Sequence, residues 1–270
     1  MYLKFFNLNE NPFSVTADPH FLYLSEKHRE AIAHMQYGIE ERMGFLEITG
    51  DIGTGKTTLC KALLNSLDDR TKTAFLLNSN LPESQILQAI VQDFGIKTKN
   101  RSKINLLNEL NNFLLDQLEG HNNVVLIVDE AQNLKPAILE QIRLLSNLET
   151  EKEKLLQIIL VGQPELKEKL LSKELAQLRQ RIAVRYHLSP LDRREVSGYI
   201  SHRLEVAGSN GNGLFREDAV DEIYRYSKGV PRVINILCNK ALLAGYVKDK
   251  KTINSGIIKK CTKELEGIFT

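Results

Sequence analysis

Apolar residues fall along the chain in two kinds of runs, which alternate from about residue 44 to about residue 190. Short continuous runs predict buried strands, and stretches with apolar residues three or four positions apart predict helices. The predicted strands are Gly44–Thr49, Thr73–Leu77, Val124–Val128, Ile158–Val161 and Val184–Leu188. The helices predicted between them are Thr57–Leu67, Pro82–Phe94, a helix opened by Ser102 that reaches Leu118, and Pro136–Leu148. The alternation predicts an α/β fold with a five-stranded parallel sheet flanked by helices.

Strand patterns stop after Pro190, and only helical patterns follow. These predicted helices are Asp192–Ala207, Asp218–Ser227, Pro231–Val247 and Ser255–Leu265. A chain of 270 residues is long enough for one large domain or two modest ones. We therefore expect an α/β domain over residues 1–190 and an all-α domain over residues 191–270.

Composition restricts the class of protein only broadly. Hydrophobic residues make up 42% and charged residues 26%, which is ordinary for a soluble globular chain. The net charge of +2 does not indicate a nucleic-acid binder, although a local basic patch can be hidden in a nearly neutral total. Three cysteines without a CxxC motif favour a reducing compartment. No window approaches the roughly 20 apolar residues that span a bilayer, and the first residues do not form a signal peptide. A fragment cut from a membrane-anchored parent would look the same.

One segment matches a phosphate-binding loop in full. Gly50–Thr57 reads GDIGTGKT, which fits GxxxxGK[ST], and it lies between a predicted strand and a predicted helix. Glycines let backbone N–H groups turn toward an anion, and the helix start adds its positive dipole end. Lys56 is expected to reach the β- and γ-phosphates, and the Thr57 hydroxyl is expected to ligate Mg²⁺. The predicted nucleotide-binding residues of this segment are Gly50, Asp51, Ile52, Gly53, Thr54, Gly55, Lys56, Thr57 and Thr58.

Two adjacent acids end the most apolar predicted strand. Val124–Val128 runs into Asp129 and Glu130, as in a Walker B element. Asp129 is expected to help hold Mg²⁺, and Glu130 to orient or deprotonate the attacking water. Two such acids can also simply begin a loop, but their combination with the phosphate-binding loop favours the catalytic interpretation. A base beside the magnesium ligand indicates ATP hydrolysis as well as binding, and the absence of an NKxD motif favours ATP over GTP.

The Walker pair, a polar residue after the next strand and a helical C-terminal part together resemble an AAA+ ATPase. Further stretches are similar to the ExeA/GspA type, the ATPases associated with type II secretion and related pilus systems. The resemblance covers essentially the whole chain and implies a P-loop NTPase core followed by a helical lid. The stretches that carry it are Tyr2–Phe6, Asn11–Phe13, Thr16–Pro19, Phe21–Ser25, His28–Ala31, Gly38–Arg42, DEAQNL from Asp129 and LVGQPEL from Leu160.

The resemblance implies roles for four more residues. Gln163 resembles sensor 1, which reads the γ-phosphate and the water, although many AAA+ proteins have Asn or Thr there. Arg181 or Arg179 resembles the arginine finger, which acts on a neighbour's ATP and so implies self-association as a dimer or ring. Arg232 resembles sensor 2 on the lid. The alternatives are surface ion pairs for the two finger candidates and an ordinary first-turn arginine at 232.

Aromatic residues of the N-terminal stretches have two interpretations. The segment around Pro12–Phe13 and Phe21–Tyr23 can flank the adenine, or it can pack in the core. Core packing is at least as well favoured, because large aromatic side chains are common in cores.

The resemblance also implies a cellular role: ATP hydrolysis, with Mg²⁺, that drives assembly or remodelling of a bacterial secretion or pilus apparatus. It implies a cytoplasmic protein, at the cytoplasmic face of the inner membrane if it is part of a longer membrane-anchored chain, with an inner-membrane secretion-system protein as partner. ATPases of this type continue into a transmembrane helix and a peptidoglycan-binding domain, so peptidoglycan is not expected to bind through this chain.

Two alternatives remain open. One is a DNA-binding AAA+ ATPase of the transposition-helper or replication-initiator kind, and the other is a slow ATP-dependent switch. The sequence does not favour DNA, because its basic clusters are short and interspersed with acids. These clusters are Arg193-Arg194, Lys248–Lys251 and Lys259-Lys260.

Overall fold

A sheet of parallel strands forms the centre of the first part of the chain, and the predicted α/β fold is confirmed. The computed structural model describes residues 2–77, 82–151, 153–209 and 213–269. Within these residues the strands are β1 (Phe45–Gly50), β2 (Thr71–Leu76), β3 (Asn123–Val128), β4 (Gln157–Gly162) and β5 (Ile182–Leu188). Their order across the sheet is β2-β3-β4-β1-β5, and each neighbouring pair is parallel.

Helices connect these strands and make up most of the C-terminal part. The first eight are α1 (Tyr2–Phe5), α2 (Glu26–Glu40), α3 (Lys56–Ser66), α4 (Glu83–Asp93), α5 (Lys103–Glu119), α6 (Pro136–Leu145), α7 (Pro164–Leu170) and α8 (Ala176–Arg181). The last four are α9 (Arg193–Val206), α10 (Glu217–Ser227), α11 (Pro231–Val247) and α12 (Ser255–Phe269). No helix of the described residues is long and apolar enough to cross a membrane.

Both faces of the sheet are buried, which explains why its strands read as continuous apolar runs. One face presents Phe45, Leu126 and Leu160 to a core that includes residues of α4, α5 and α6. The other face presents Ile48 and Ile127 to a core that includes residues of α2 and α3.

The register brings three strand ends to one edge of the sheet. Thr49 of β1 lies opposite Gly162 of β4, and Val128 of β3 lies opposite Leu160, which also belongs to β4. The residues that follow these strands therefore share the carboxyl edge, where open α/β sheets bind their ligands.

Contacts divide the chain into two compact units. The first consists of Lys27–Asp51 and Leu59–Leu188 and contains the whole sheet. The second combines the N-terminal segment up to Glu26 with Ile52–Thr58 and the chain from Ser189 onward.

Within the second unit, aromatic residues of the N-terminal segment belong to the core. Phe13 and Phe21 are 1% and 3% exposed and pack in one cluster with residues of α9 to α12. Buried Arg203 holds the segment in place: its guanidinium donates to the carbonyls of Pro12 and Ser14 and lies 4.7 Å from the centre of the Phe21 ring. The structure thus supports the core-packing interpretation of Phe13 and Phe21.

Candidate nucleotide site

The phosphate-binding loop has the backbone conformation that its glycines permit. Gly53 has a φ of +82° and Gly55 a φ of +100°, a region that side chains with a Cβ rarely enter. Thr54 and Lys56 between and after them are buried. Helix α3 begins at Lys56, so the loop ends at the positive end of a helix dipole. The loop therefore has the geometry of an anion-binding turn.

Arg232 lies against this loop, and both belong to the same unit. The backbone N–H of Arg232 donates to the carbonyl of Gly53 at 3.1 Å. A Cβ at Gly53 would stand 2.7 Å from the Cβ of Arg232, so the close approach requires glycine. Pro231 occupies the first turn of α11, where its missing N–H costs nothing. The start of α11 is thereby fixed beside the loop.

The turn before α11 is fixed by a second glycine. Gly229 has a φ of +78°, and its carbonyl accepts a hydrogen bond from the N–H of Leu191 at 3.0 Å. A Cβ at Gly229 would overlap the Leu191 carbonyl oxygen at 1.8 Å. A larger residue at position 229 would therefore displace the turn that precedes Arg232.

At the end of β3, Asp129 is nearly inaccessible, with 2% of its surface exposed. Its N–H donates to the carbonyl of Leu76 at 3.0 Å, which continues the ladder between β3 and β2. Its Oδ1 accepts a hydrogen bond from the N–H of Glu130 at 2.8 Å. Glu130 itself has a φ of +51°, an uncommon conformation for a residue other than glycine. The chain thus turns sharply at the two predicted acids.

Two side-chain amides hold the carboxylate of Glu130. Its Oε2 accepts from Nε2 of Gln132 at 2.5 Å and from Nε2 of Gln163 at 3.2 Å. The backbone N–H of Gln163 in turn donates to Oε1 of Gln132 at 3.1 Å. We call Gln132 and Gln163 together the amide clamp. The structure thus brings predicted residues Glu130 and Gln163 together and adds Gln132, for which the sequence predicted no role.

The missing side chain of a glycine at the end of β4 leaves room for the amide clamp. Gly162 precedes Gln163, and a Cβ there would stand 2.8 Å from Oε1 of Gln132. Nζ of Lys169 donates to the carbonyls of Gln132 and Leu134 and so fixes the turn after β3. Gln132 stands in the DEAQNL stretch, but its partner Gln163 is 31 residues away. No local spacing rule could have indicated this contact.

Arg179 and Arg181 lie at the opposite edge of the sheet. They end α8, directly before β5, whose first residue Ile182 pairs with Phe45 at the amino end of β1. A strand of this length spans roughly 20 Å, which separates these arginines from the carboxyl edge. Nη1 of Arg181 donates to Oγ of Ser146 at 2.6 Å, and Nη1 of Arg179 donates to the carbonyl of Leu171 at 3.2 Å.

The residues present fit a nucleotide and Mg²⁺. The positive φ of Gly53 and Gly55 lets the loop turn its backbone N–H groups toward an anion. Thr57 and Asp129 offer a hydroxyl and a carboxylate, the oxygen ligands that Mg²⁺ prefers. Among the described residues no group of three or more His, Cys, Asp or Glu side chains could hold a metal ion by itself. One carboxylate plus substrate phosphates is the usual way in which Mg²⁺ is bound.

The parallel sheet, the phosphate-binding loop and the two acids after β3 suggest a known family of nucleotide-binding domains. Residues 39–170 match the AAA domain family. The chain thus contains an AAA domain over residues 39–170. Over 269 residues it is 44% identical to the general secretion pathway protein A of Aeromonas hydrophila, which confirms the resemblance to the ExeA/GspA type. The match covers 99% of this chain and 49% of that protein, so the chain spans about half the length of this relative.

Solved structures of low sequence identity share the fold. The Drosophila ORC bound to DNA superposes with a TM-score of 0.71 at 18% identity, over 98% of this chain and 66% of that chain. The Aeropyrum pernix ORC2 protein, solved in ADPNP-ADP complexes, gives a TM-score of 0.65 at 17% identity, over 89% of this chain and 67% of that chain. At these identities the likeness shows the fold alone.

Proposed function

We propose that this chain is a Mg²⁺-dependent ATPase. The observation that carries the proposal is the carboxylate of Glu130, which two amides orient at the carboxyl edge of the sheet, directly after buried Asp129. Strand β1, which β4 separates from β3, ends at the same edge in Gly50, the first residue of the phosphate-binding loop. A protein that only bound nucleotide would not need an oriented carboxylate beside a magnesium ligand.

Each residue has a defined part in this reaction. The loop N–H groups and Lys56 bind the phosphates, and Thr57 and Asp129 hold the metal ion. When bound, Mg²⁺ neutralises charge on the β- and γ-phosphate oxygens. Glu130 accepts a proton from the attacking water as the water oxygen bonds to the γ-phosphorus. The bond between the γ-phosphorus and the bridging oxygen breaks, and ADP leaves with that oxygen.

The position of the arginine-finger candidates supports self-association. Arg179 and Arg181 precede β5 at the amino edge of the sheet, and Glu130 of the same chain lies at the carboxyl edge. The length of the strand, roughly 20 Å, separates the two edges. As an arginine finger, a residue at this edge would act on the nucleotide of a neighbouring copy. We therefore propose that Arg181, or else Arg179, completes the site of an adjacent protomer in a dimer or ring.

In the cell, we propose that this activity serves a secretion or pilus apparatus at the cytoplasmic face of the inner membrane, with an inner-membrane protein of that apparatus as partner. The support is the 44% identity to the general secretion pathway protein A, which is about twice as long as this chain. We further propose that residues 1–190 act as the nucleotide-binding domain and residues 191–270 as its lid, with Arg232 as the lid's contact to the nucleotide.

DNA binding is the weaker alternative, because intramolecular contacts engage two of the three basic clusters. Arg193 pairs with Glu217 at 2.8 Å and with Asp221 at 2.6 Å. Nζ of Lys251 donates to the carbonyl of Phe5 and lies 3.5 Å from the centre of its ring. A salt-sensitive shift of this chain on duplex DNA would favour the alternative.

Two variants test the proposed reaction by separating binding from hydrolysis. Glu130→Gln should retain ATP affinity but slow hydrolysis by about 10²–10⁴-fold, the usual contribution of a general base. Lys56→Ala should instead weaken ATP binding, because a direct phosphate contact is lost. Calorimetric titration with ATP and a phosphate-release assay measure the two effects. A Glu130→Gln variant that hydrolyses ATP at the wild-type rate would refute the assignment of the base.

A further inference from the structure

We propose that Gln132 is a positioning residue that holds the carboxylate of Glu130 in its reactive orientation, independently of where the Gln163 side chain points. The proposal rests on the ATPase function given above and deepens it. It assigns a role to a residue that lies in neither the phosphate-binding loop nor the two acids. Its support comes from the hydrogen bonds of the turn that follows β3.

The two amides of the clamp bind the same oxygen of Glu130. Both Nε2 atoms donate to Oε2, at 2.5 Å from Gln132 and 3.2 Å from Gln163. A carboxylate held through one oxygen keeps a fixed direction, and its other oxygen keeps its lone pairs for a water proton. The shorter bond comes from Gln132, so Gln132 is the closer of the two supports.

Gln132 is itself held on both sides. Its Oε1 accepts from the N–H of Gln163 at 3.1 Å, and its backbone carbonyl accepts from Nζ of Lys169. Ordering a glutamine side chain costs conformational entropy. Because these two bonds already hold Gln132 before the reaction, little of this entropy has to be lost when the reaction takes place. The Cβ position of Gly162 is the space that the side-chain oxygen of Gln132 uses.

The two amides differ in how they are tied to the end of β4. Gln163 offers its side chain to Glu130, whereas Gln132 bonds the backbone N–H of Gln163. If the Gln163 side chain turns toward a phosphate, its own bond to Glu130 breaks. The bond from Gln132 to Glu130 and the bond from Gln163 N–H to Gln132 are unaffected by that rotation. Gln132 thus keeps the base oriented while Gln163 is engaged elsewhere.

The backbone of Glu130 makes such a support necessary. Its left-handed conformation, with a φ of +51° and a ψ of +36°, directs the chain into the short turn Ala131–Asn133. The direction of the Glu130 side chain therefore depends on contacts outside a regular strand or helix. Gln132, two residues further along the same turn, supplies the closer of its two amide contacts.

The test compares two substitutions at Gln132 with a matched control. Gln132→Met keeps the length of the side chain but removes its donor and its acceptor. Gln132→Glu keeps an acceptor for the Gln163 N–H but removes the donor to Glu130. We expect both variants to lower kcat for Mg²⁺-ATP by about 10²-fold, since a small misplacement of a reacting group can cost that much. The dissociation constant for ATP should stay within about twofold, because neither variant changes a phosphate contact.

The control is Gln92→Met, which makes the same chemical change at an exposed position of α4 and should leave kcat unchanged. Near-normal hydrolysis by Gln132→Glu would overturn the proposal, because a purely structural role at the end of β4 needs only the acceptor. Gln132→Met with kcat within twofold of wild type would overturn it as well. If Gln132→Met does not fold, the nearly isosteric Gln132→Glu carries the test.

A double variant distinguishes this proposal from a failure of the ATPase assignment. If Gln132 acts through Glu130, Gln132→Met should cause no further loss in a Glu130→Gln background. Losses that multiply in the double variant would show that Gln132 acts by another route. Wild-type protein that binds ATP without hydrolysing it would instead overturn the proposed function itself, and the positioning role with it.

Discussion

At the residue scale, Gly53 shows two separate reasons why the phosphate-binding loop needs glycine. Its φ of +82° is unfavourable for any residue with a Cβ, and Arg232 leaves no room for one. Gly95, just after α4, has a similar φ of +74° but no atom within 4 Å of its Cβ position. These two glycines therefore separate the cost of the backbone conformation from the cost of the contact with Arg232.

We predict that Gly53→Ala is more damaging than Gly95→Ala. Both variants should lose about 1–2 kcal/mol of unfolding free energy to the left-handed conformation. Only Gly53→Ala also has to displace the start of α11, so only this variant should lose ATP affinity, by roughly tenfold, or about 1.4 kcal/mol. Denaturant unfolding and calorimetric titration measure the two quantities. Equal ATP affinities of the two variants would contradict the role of the Gly53–Arg232 contact.

At the scale of elements, an ion pair between buried Glu47 of β1 and half-exposed Arg185 of β5 connects these strands and the end of α8. Glu47 of β1 is 3% exposed, and its Oε2 accepts from Nε of Arg185 on β5 at 3.2 Å. Nη2 of Arg185 also donates to the carbonyl of Arg179 at 2.7 Å, at the end of the helix with the finger candidates. Burial raises the pKa of Glu47 above its ordinary 4.5, and the charges of Arg185 and Lys167 offset part of this shift.

This shift predicts how Glu47→Gln changes stability with pH. A raised pKa in the folded protein means that folded Glu47 holds its proton more strongly than unfolded Glu47. The stabilising contribution of Glu47 to the free energy of unfolding is therefore fully present below pH 4.5. It is lost as the pH rises through the pKa that Glu47 has in the folded protein. Glutamine does not titrate, so Glu47→Gln should gain stability relative to wild type as the pH rises through that window.

Denaturant unfolding over a pH series beginning near 4 measures this difference. Glu165→Gln removes the same charge from an exposed position of α7 and serves as the control. A stability difference between Glu47→Gln and wild type that stays constant, or shrinks as the pH rises, would contradict the burial argument.

The elements that sequence predicts best are those buried on both sides. β3 and β4 are apolar almost throughout, and their continuous runs were assigned correctly. Edge strand β5 begins at Ile182, two residues before the predicted start, because exposed residues alternate along it and shorten the apolar run.

Helix α6 ends at Leu145 and not at Leu148, since the hydroxyl of Ser146 bonds the carbonyl of Arg143 and closes the last turn. Helix α2 was not predicted, because its buried residues are few among many polar ones.

For the site, sequence identified residues that act through contiguous motifs. Gly53 and Lys56 follow from the loop pattern, and Glu130 follows from the strand that ends in two acids. Gln132 and Arg185 could not be found in this way. Their partners Gln163 and Glu47 are 31 and 138 residues away and become neighbours only through the sheet order. Contacts of this kind depend on tertiary structure.

At the scale of the whole molecule, the placement of charged groups supports the proposal that a neighbouring copy completes the site. Glu130 lies at the carboxyl edge of the sheet, whereas Arg181 lies at the amino edge. Arginine fingers in GTPases contribute roughly 10³–10⁵ to the rate, so a single protomer should hydrolyse ATP slowly. The rate per protomer should then rise as copies associate.

The most direct test of the account is the rate of ATP hydrolysis per protomer, measured with and without Mg²⁺ over a wide range of protein concentration. We predict hydrolysis that requires Mg²⁺ and rises with protein concentration, and we predict that Arg181→Ala remains slow at every concentration while still binding ATP. If the wild-type chain binds ATP with Mg²⁺ yet leaves it intact at all concentrations, the assignment of Glu130 and its amide clamp to ATP hydrolysis is contradicted.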